Sequence, residues 1–230
     1  QIFGMITAQI AALKTSQVVS LSTTQVAGIE TTDVAVMTTA QVVALTTSQT
    51  AALTTAQVVA MGTTQVSSLT TAQVAILKTA QIAALTTAQV GYLESADLVK
   101  LSTTQLNALG TAQVQALSEV QVAFLETNQV AGLSTANVAA LSSTQAQALS
   151  SAQVASLTTT QIGALETADL SAMSTAQLAG LSVTQIGKLS TAQVAALTTG
   201  QVAGLSATQV ASLSSAATAA LTTSQVQALT

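Results

Sequence analysis

The sequence predicts an all-α solenoid of short helices, one to each eight residues, and three observations point to it. A large apolar residue returns at every eighth position without a miss, from Met5, Leu13, Leu21 and Ile29 through to Leu221 and Leu229. Around that anchor runs a single octad, labelled here a to h: Leu, Ser/Thr, Thr, Ala, Gln, Val, Ala, Ala. Each copy of the octad also contains the local signals that start a helix. A fixed short period marks a repeat array, in which neighbours stack and length adds copies instead of deepening a core.

The octad excludes the simpler elements. In one continuous helix, about 100° per residue turns eight residues through about 800°, so the Leu stripe drifts by about 80° per repeat and no face stays apolar. The period is also neither the 7 nor the 11 of coiled coils. In one long strand, Leu at a and Val at f have opposite parity and point to opposite faces. A short helix per octad meets neither objection. In Leu189–Leu197, Ser190 is placed to be the N-cap and Gln193 stands at N3, the spacing of a capping box. Leu189 precedes the cap and faces Val194 at N4, the arrangement of a hydrophobic staple. Positions e, a and f then share one face, with Leu and Val inward and Gln at their edge. Ala at d, g and h favours helix and permits close approach. Helices of this length are unstable alone, so stacking must hold them.

The rival is a narrow two-sided β-solenoid, with Thr at c and Gln at e outward and Ala at d and Val at f inward. Thr and Val suit it, whereas Ala and Gln do not. Its corners would be Ala-Ala, against ordinary turn chemistry.

A second period lies under the first. From residue 14 to 134, alternate b positions carry Lys14, Glu30, Thr46, Gly62, Lys78, Glu94, Gly110 and Glu126, while the interleaved ones are Ser or Thr throughout. This alternation predicts a coil of two unlike octads, 16 residues, with Lys14 over Glu30 and Lys78 over Glu94 as stacked neighbours. Residues 1–230 are thus read as one array and as a window on a longer protein.

Composition narrows the chemistry. Charged residues make up 5% of the chain, and it has no His, Cys, Pro, Trp or Arg. A net charge of -4 with four Lys as the only cations gives no basic footprint for nucleic acid. Mean hydropathy is +0.60, yet Ser, Thr or Gln interrupts every octad, so no apolar run is long enough to span a membrane. Without His or Cys no catalytic triad can form, and the dispersed Gly residues have no phosphate-loop spacing. No small-molecule substrate is evident, and the chain is expected not to be an enzyme.

One substitution pattern could carry chemistry. Three octads put Glu at b and Asp at e: Glu30 with Asp33, Glu94 with Asp97, and Glu166 with Asp169. These are all the Asp residues in the chain, and each has a Glu three residues earlier. The functional reading is a cation site, with Ca²⁺ as the one cofactor the pattern admits, because hard cations take carboxylate oxygens. The plainer reading is local adjustment, since Glu cannot cap as Ser does. Glu119 and Glu126 read as solvated. Gln holds e in 24 of 29 octads, a constancy that suggests a satisfied capping or ladder role, or else lateral adhesion between rods. Thr at c would form a flat outward array in the β form, suited to ice or a polymer. Phe3, Tyr92 and Phe124 are isolated and read as local packing.

The run Leu-Thr-Thr-Ala-Gln-Val-Ala-Ala-Leu, nearly unbroken from residue 5 to 230, resembles octapeptide repeat arrays of very long, adhesin-like bacterial cell-surface proteins. The resemblance implies an extracellular, non-enzymatic stalk or a filament or sheath subunit that self-associates into fibres. It assigns no functional residue.

Overall fold

The computed structural model describes residues 5–229, and every regular element among them is a short α-helix. There is one helix per octad, from α1 (Thr7–Ala11) to α28 (Thr223–Gln227), each four to six residues long. No strand occurs among the described residues, so the β-solenoid is excluded, and with it the flat Thr ladder it would have carried.

Each octad folds as its local signals direct. Residue b is the N-cap in extended conformation, as at Ser190 (φ -71°, ψ 163°). Its hydroxyl accepts from the Gln193 N–H at 3.1 Å, and Gln193 Oε1 accepts from the Ser190 N–H at 2.9 Å. The helix runs from c to f, g or h. In the six-residue helices it ends on a, which turns back to extended geometry, as at Leu197 (φ -60°, ψ 142°). Residues a and b together therefore make a corner that requires neither Gly nor Pro, although Gly62 and Gly110 stand at b. Removing the cap hydroxyl in Ser190→Ala should cost about 1 kcal/mol in a thermal melt, because only half of the capping box is lost.

The half-box also explains why b varies. At Lys14 and Lys78 no hydroxyl is present, yet Gln17 and Gln81 still accept from the N-cap N–H at 2.8 and 2.7 Å. The N3 N–H then donates to the carbonyl of b, at 2.9 Å in both cases. Side chains at b lie outside and are free to change.

The residues cluster into two compact units, one ending at Leu117 and one beginning at Ser118, with fourteen described helices in each. In the first, every helix packs on the third one after it: α1 on α4 (Thr31–Val36), α2 (Thr15–Val19) on α5 (Thr39–Ala44), and so to α14 (Thr111–Gln115). The second repeats this from α15 (Glu119–Phe124), which packs on α18 (Ser143–Ala148). The coil is therefore three octads, 24 residues, and the 16-residue coil is wrong. The a–b corner turns the chain so that three helices, not two, bring it back over itself. Residues stacked at b are consequently Glu30, Thr54 and Lys78, and neither Lys14 with Glu30 nor Lys78 with Glu94 is a stacked pair. The alternation at b has no counterpart in the coil.

Positions a and f fill the interior. Val26, Val66, Ile82, Leu98, Ile162 and Leu178 at f are fully buried, and most Leu residues at a, such as Leu77, Leu109 and Leu157, are nearly so. Each such side chain contributes about 1.5–3 kcal/mol on removal from water. Position e departs from expectation: Gln is not at the edge but inside, with Gln41, Gln73 and Gln81 each 2% exposed. Tyr92 and Phe124, expected to pack locally, project outward at 60% and 59% exposure. Phe3 lies outside the described residues.

Candidate functional site

A buried amide needs partners, and the Gln column finds them in the coil beneath. Gln73 is representative. Its Oε1 accepts from the Thr70 N–H at 2.8 Å, closing its own helix start. Its Nε2 donates to the carbonyls of Val42 and Leu45, both at 2.8 Å, and lies 3.4 Å from that of Val43. Those carbonyls belong to the end of an earlier helix, residues 31, 28 and 30 back, where a helix leaves carbonyls with spare acceptor capacity; that of Val42 also accepts the Leu45 N–H at 3.2 Å. One Gln thus caps the N-terminus of its own helix and the C-terminus of one in the preceding coil. The pattern recurs at Gln41, Gln49, Gln57, Gln89 and Gln201, among others. Gln9 and Gln17 keep the bond to the N-cap N–H and are exposed. The capping and ladder reading of Gln therefore holds, and adhesion through Gln does not, because the amides are inside.

The three Glu/Asp octads interrupt this ladder. Glu30, Glu94 and Glu166 are N-caps of α4, of α12 (Ser95–Leu98) and of α21 (Thr167–Ala172), and none of them makes a side-chain cap. All three Glu are exposed, whereas Asp33, Asp97 and Asp169 are buried at 5%, 3% and 2% exposure. The structure brings each Asp to its own Glu but does not bring the three pairs together. Among the described residues no three His, Cys, Asp or Glu side chains converge.

An Asp at e is one methylene shorter than Gln and has no donor. At Asp169, Oδ1 accepts from the Ser143 hydroxyl at 2.8 Å, and the carboxylate also accepts from the Glu166 N–H. Asp97 is held in the same way by the Thr71 hydroxyl and the Glu94 N–H. In both residues the second oxygen, Oδ2, is buried without a partner. Burial pushes the Asp97 carboxyl above its ordinary range, and the neighbouring Glu94 charge adds to the effect. Burial does the same at Asp169, opposed by the Ser143 hydroxyl and reinforced by Glu166.

Elsewhere the surface offers little chemistry. Two open grooves of about 470 and 490 Å³ lie on the last coils, one lined by Leu205, Val210 and Leu229, the other by Leu181, Ser182 and Gln209. Neither has an acid or base in its lining, and the Gln209 amide is engaged by Ser206 and Leu181. No helix among the described residues is long and apolar enough to cross a membrane.

A column of buried amides joining three-helix coils defines an α-helical tandem-repeat protein. The chain belongs to the ALTTAQ repeat family, which matches it six times, over residues 26–63, 59–87, 90–125, 122–159, 162–199 and 195–230. No match emerges among curated proteins.

Proposed function

We propose that this chain is a non-enzymatic structural spacer, a segment of an extracellular stalk or of a filament or sheath that self-associates. The observation that carries the reading is the Gln ladder. The most uniform polar position in the sequence is spent inside, on joining coil to coil, and faces no ligand. What remains outside is small and weakly charged: Thr or Ser at b and c and Ala at d, interrupted by single apolar side chains such as Val43, Val59 and Val183. Such a surface has little charge repulsion to oppose lateral association of copies. The cell-surface setting rests on the resemblance to adhesin-like octapeptide arrays.

Sedimentation and negative-stain microscopy across a concentration series test this. Elongated assemblies are expected to grow with concentration, and to do so at high as well as low salt, since charge contributes little. A chain that stays monomeric throughout removes the filament reading. Labelling of intact source cells with an impermeant reagent checks the location, and protection of the protein in intact cells would contradict it.

A further inference from the structure

At Gln41, Gln49, Gln153 and Gln201, Nε2 occupies a point ringed by backbone carbonyls 31, 30 and 28 residues back. At Gln89 the carbonyls of Val58 and Met61 lie 2.8 and 2.7 Å from it, with that of Val59 at 3.3 Å. The same register at Asp97 selects the carbonyls of Val66, Ser67 and Leu69, and at Asp169 those of Val138, Ala139 and Leu141. Asp97 lies on α12, which packs on α9 (Thr71–Ala75), and Asp169 on α21, which packs on α18, so both sites sit in the ordinary stacking. No amide reaches either ring. Instead each ring shares the interior with a carboxylate whose Oδ2 has no donor. One carbonyl of each ring, that of Val66 or Val138, accepts a backbone N–H, from Leu69 or Leu141 at 3.2 Å, whereas the buried carboxylate oxygen has no donor and calls for a counter-charge.

Two comparisons within the chain identify that counter-charge. Ala217 also withdraws the amide, from the ring of Ile186, Gly187 and Leu189, but its N-cap is Ser214 and no acid accompanies it. An empty ring alone therefore does not call for Glu. Glu126 stands at b with Gln129 at e, so Glu occurs without Asp, whereas Asp never occurs without Glu. A proton would neutralise the Asp and leave the Glu charge without a partner. With a divalent ion between them, the two carboxylates balance the charge.

We propose that the Asp97 and Asp169 octads are buried sites for a hard divalent cation of the Ca²⁺ class. Each would be bound by the three ring carbonyls and Asp Oδ2 from within and by the carboxylate of Glu94 or Glu166 from the rim. Ca²⁺ takes six to eight oxygens at about 2.3–2.6 Å and accepts backbone carbonyls readily. Four oxygens from the ring and the Asp, with one or two from Glu, approach that number. The ion would join the same two helix ends that Gln joins elsewhere. The third pair, Glu30 and Asp33, has the same register, but two of its three ring positions fall outside the described residues.

Calorimetric titration of the chelator-treated full chain with CaCl₂ tests the proposal, alongside thermal melts in CaCl₂, MgCl₂ and NaCl. Saturable uptake of at least two Ca²⁺ per chain and a melting point raised by several degrees are expected. The variant with both Asp97→Asn and Asp169→Asn should bind at least about tenfold more weakly. Glu94→Thr with Asp97→Gln rebuilds a consensus octad, so it should fold, lose one site and no longer need the ion there. Absence of both heat and a melting shift overturns the proposal, as does Ca²⁺ uptake unchanged in the double Asn variant. So does a melting point indifferent to Ca²⁺ that rises as pH falls through the raised Asp values, because protons would then hold the sites.

Discussion

Gln73→Glu should be among the most damaging single-atom changes this chain can suffer. The substitution keeps the acceptor that serves the Thr70 N–H and replaces the donor facing Val42, Val43 and Leu45 with a charged oxygen. An uncompensated charge at a residue 2% exposed costs about 3–5 kcal/mol. The carboxyl introduced would have a folded-state pKa well above its unfolded value of about 4.3. Linkage then fixes the sign: stability is poorest at neutral pH and returns as pH falls through the folded pKa, where the protonated group again donates to a carbonyl. Because neighbours in a repeat array are coupled locally, the loss should concentrate in the coils around Thr70. Amide exchange mapped along the chain measures it. Even protection at pH 7, or no recovery in acid, would mean that the ladder is not what joins the coils.

The second large effect is in the apolar column. Ile162→Ala removes most of a fully buried side chain and should cost about 2–5 kcal/mol. Val43→Ala, at a side chain 44% exposed, should change stability by no more than about 0.5 kcal/mol. Melts of the two variants side by side check the contrast. Equal losses would place the core elsewhere.

The helix in each octad was legible because everything that makes it lies within nine residues. Ser190 and Gln193 form the capping box without help from any other coil. The number of helices per coil was not legible. It depends on the backbone of two corner residues such as Leu197 and Thr198, whose extended geometry any Leu-Thr pair adopts, so no side chain reports the angle. The alternation at b offered a false measure, because b faces outward and its variation is not tied to stacking. The role of Gln was half legible. The capping box showed the bond to its own helix, and the bonds 28 to 31 residues back cross a coil boundary that periodicity does not reveal. A signal was present: Gln at e is nearly as constant as Leu at a, and such constancy in a polar residue fits an interior position better than a rim. For the acidic octads, the sequence showed the pairing of Glu with Asp, and the stacking supplied the carbonyl ring that gives the pairing a physical purpose.

The ladder also has a direction. As at Gln41 and Gln49, Nε2 reaches back toward the N-terminus, to carbonyls laid down about 30 residues before it. A chain emerging from the ribosome therefore meets each docking ring already formed, and a new octad needs only its immediate predecessors to settle. With all such bonds spanning about the same short distance, the time to add a coil should not depend on how many came before. Assembly of this kind is a zipper closing from one end, able to lengthen without becoming harder to fold.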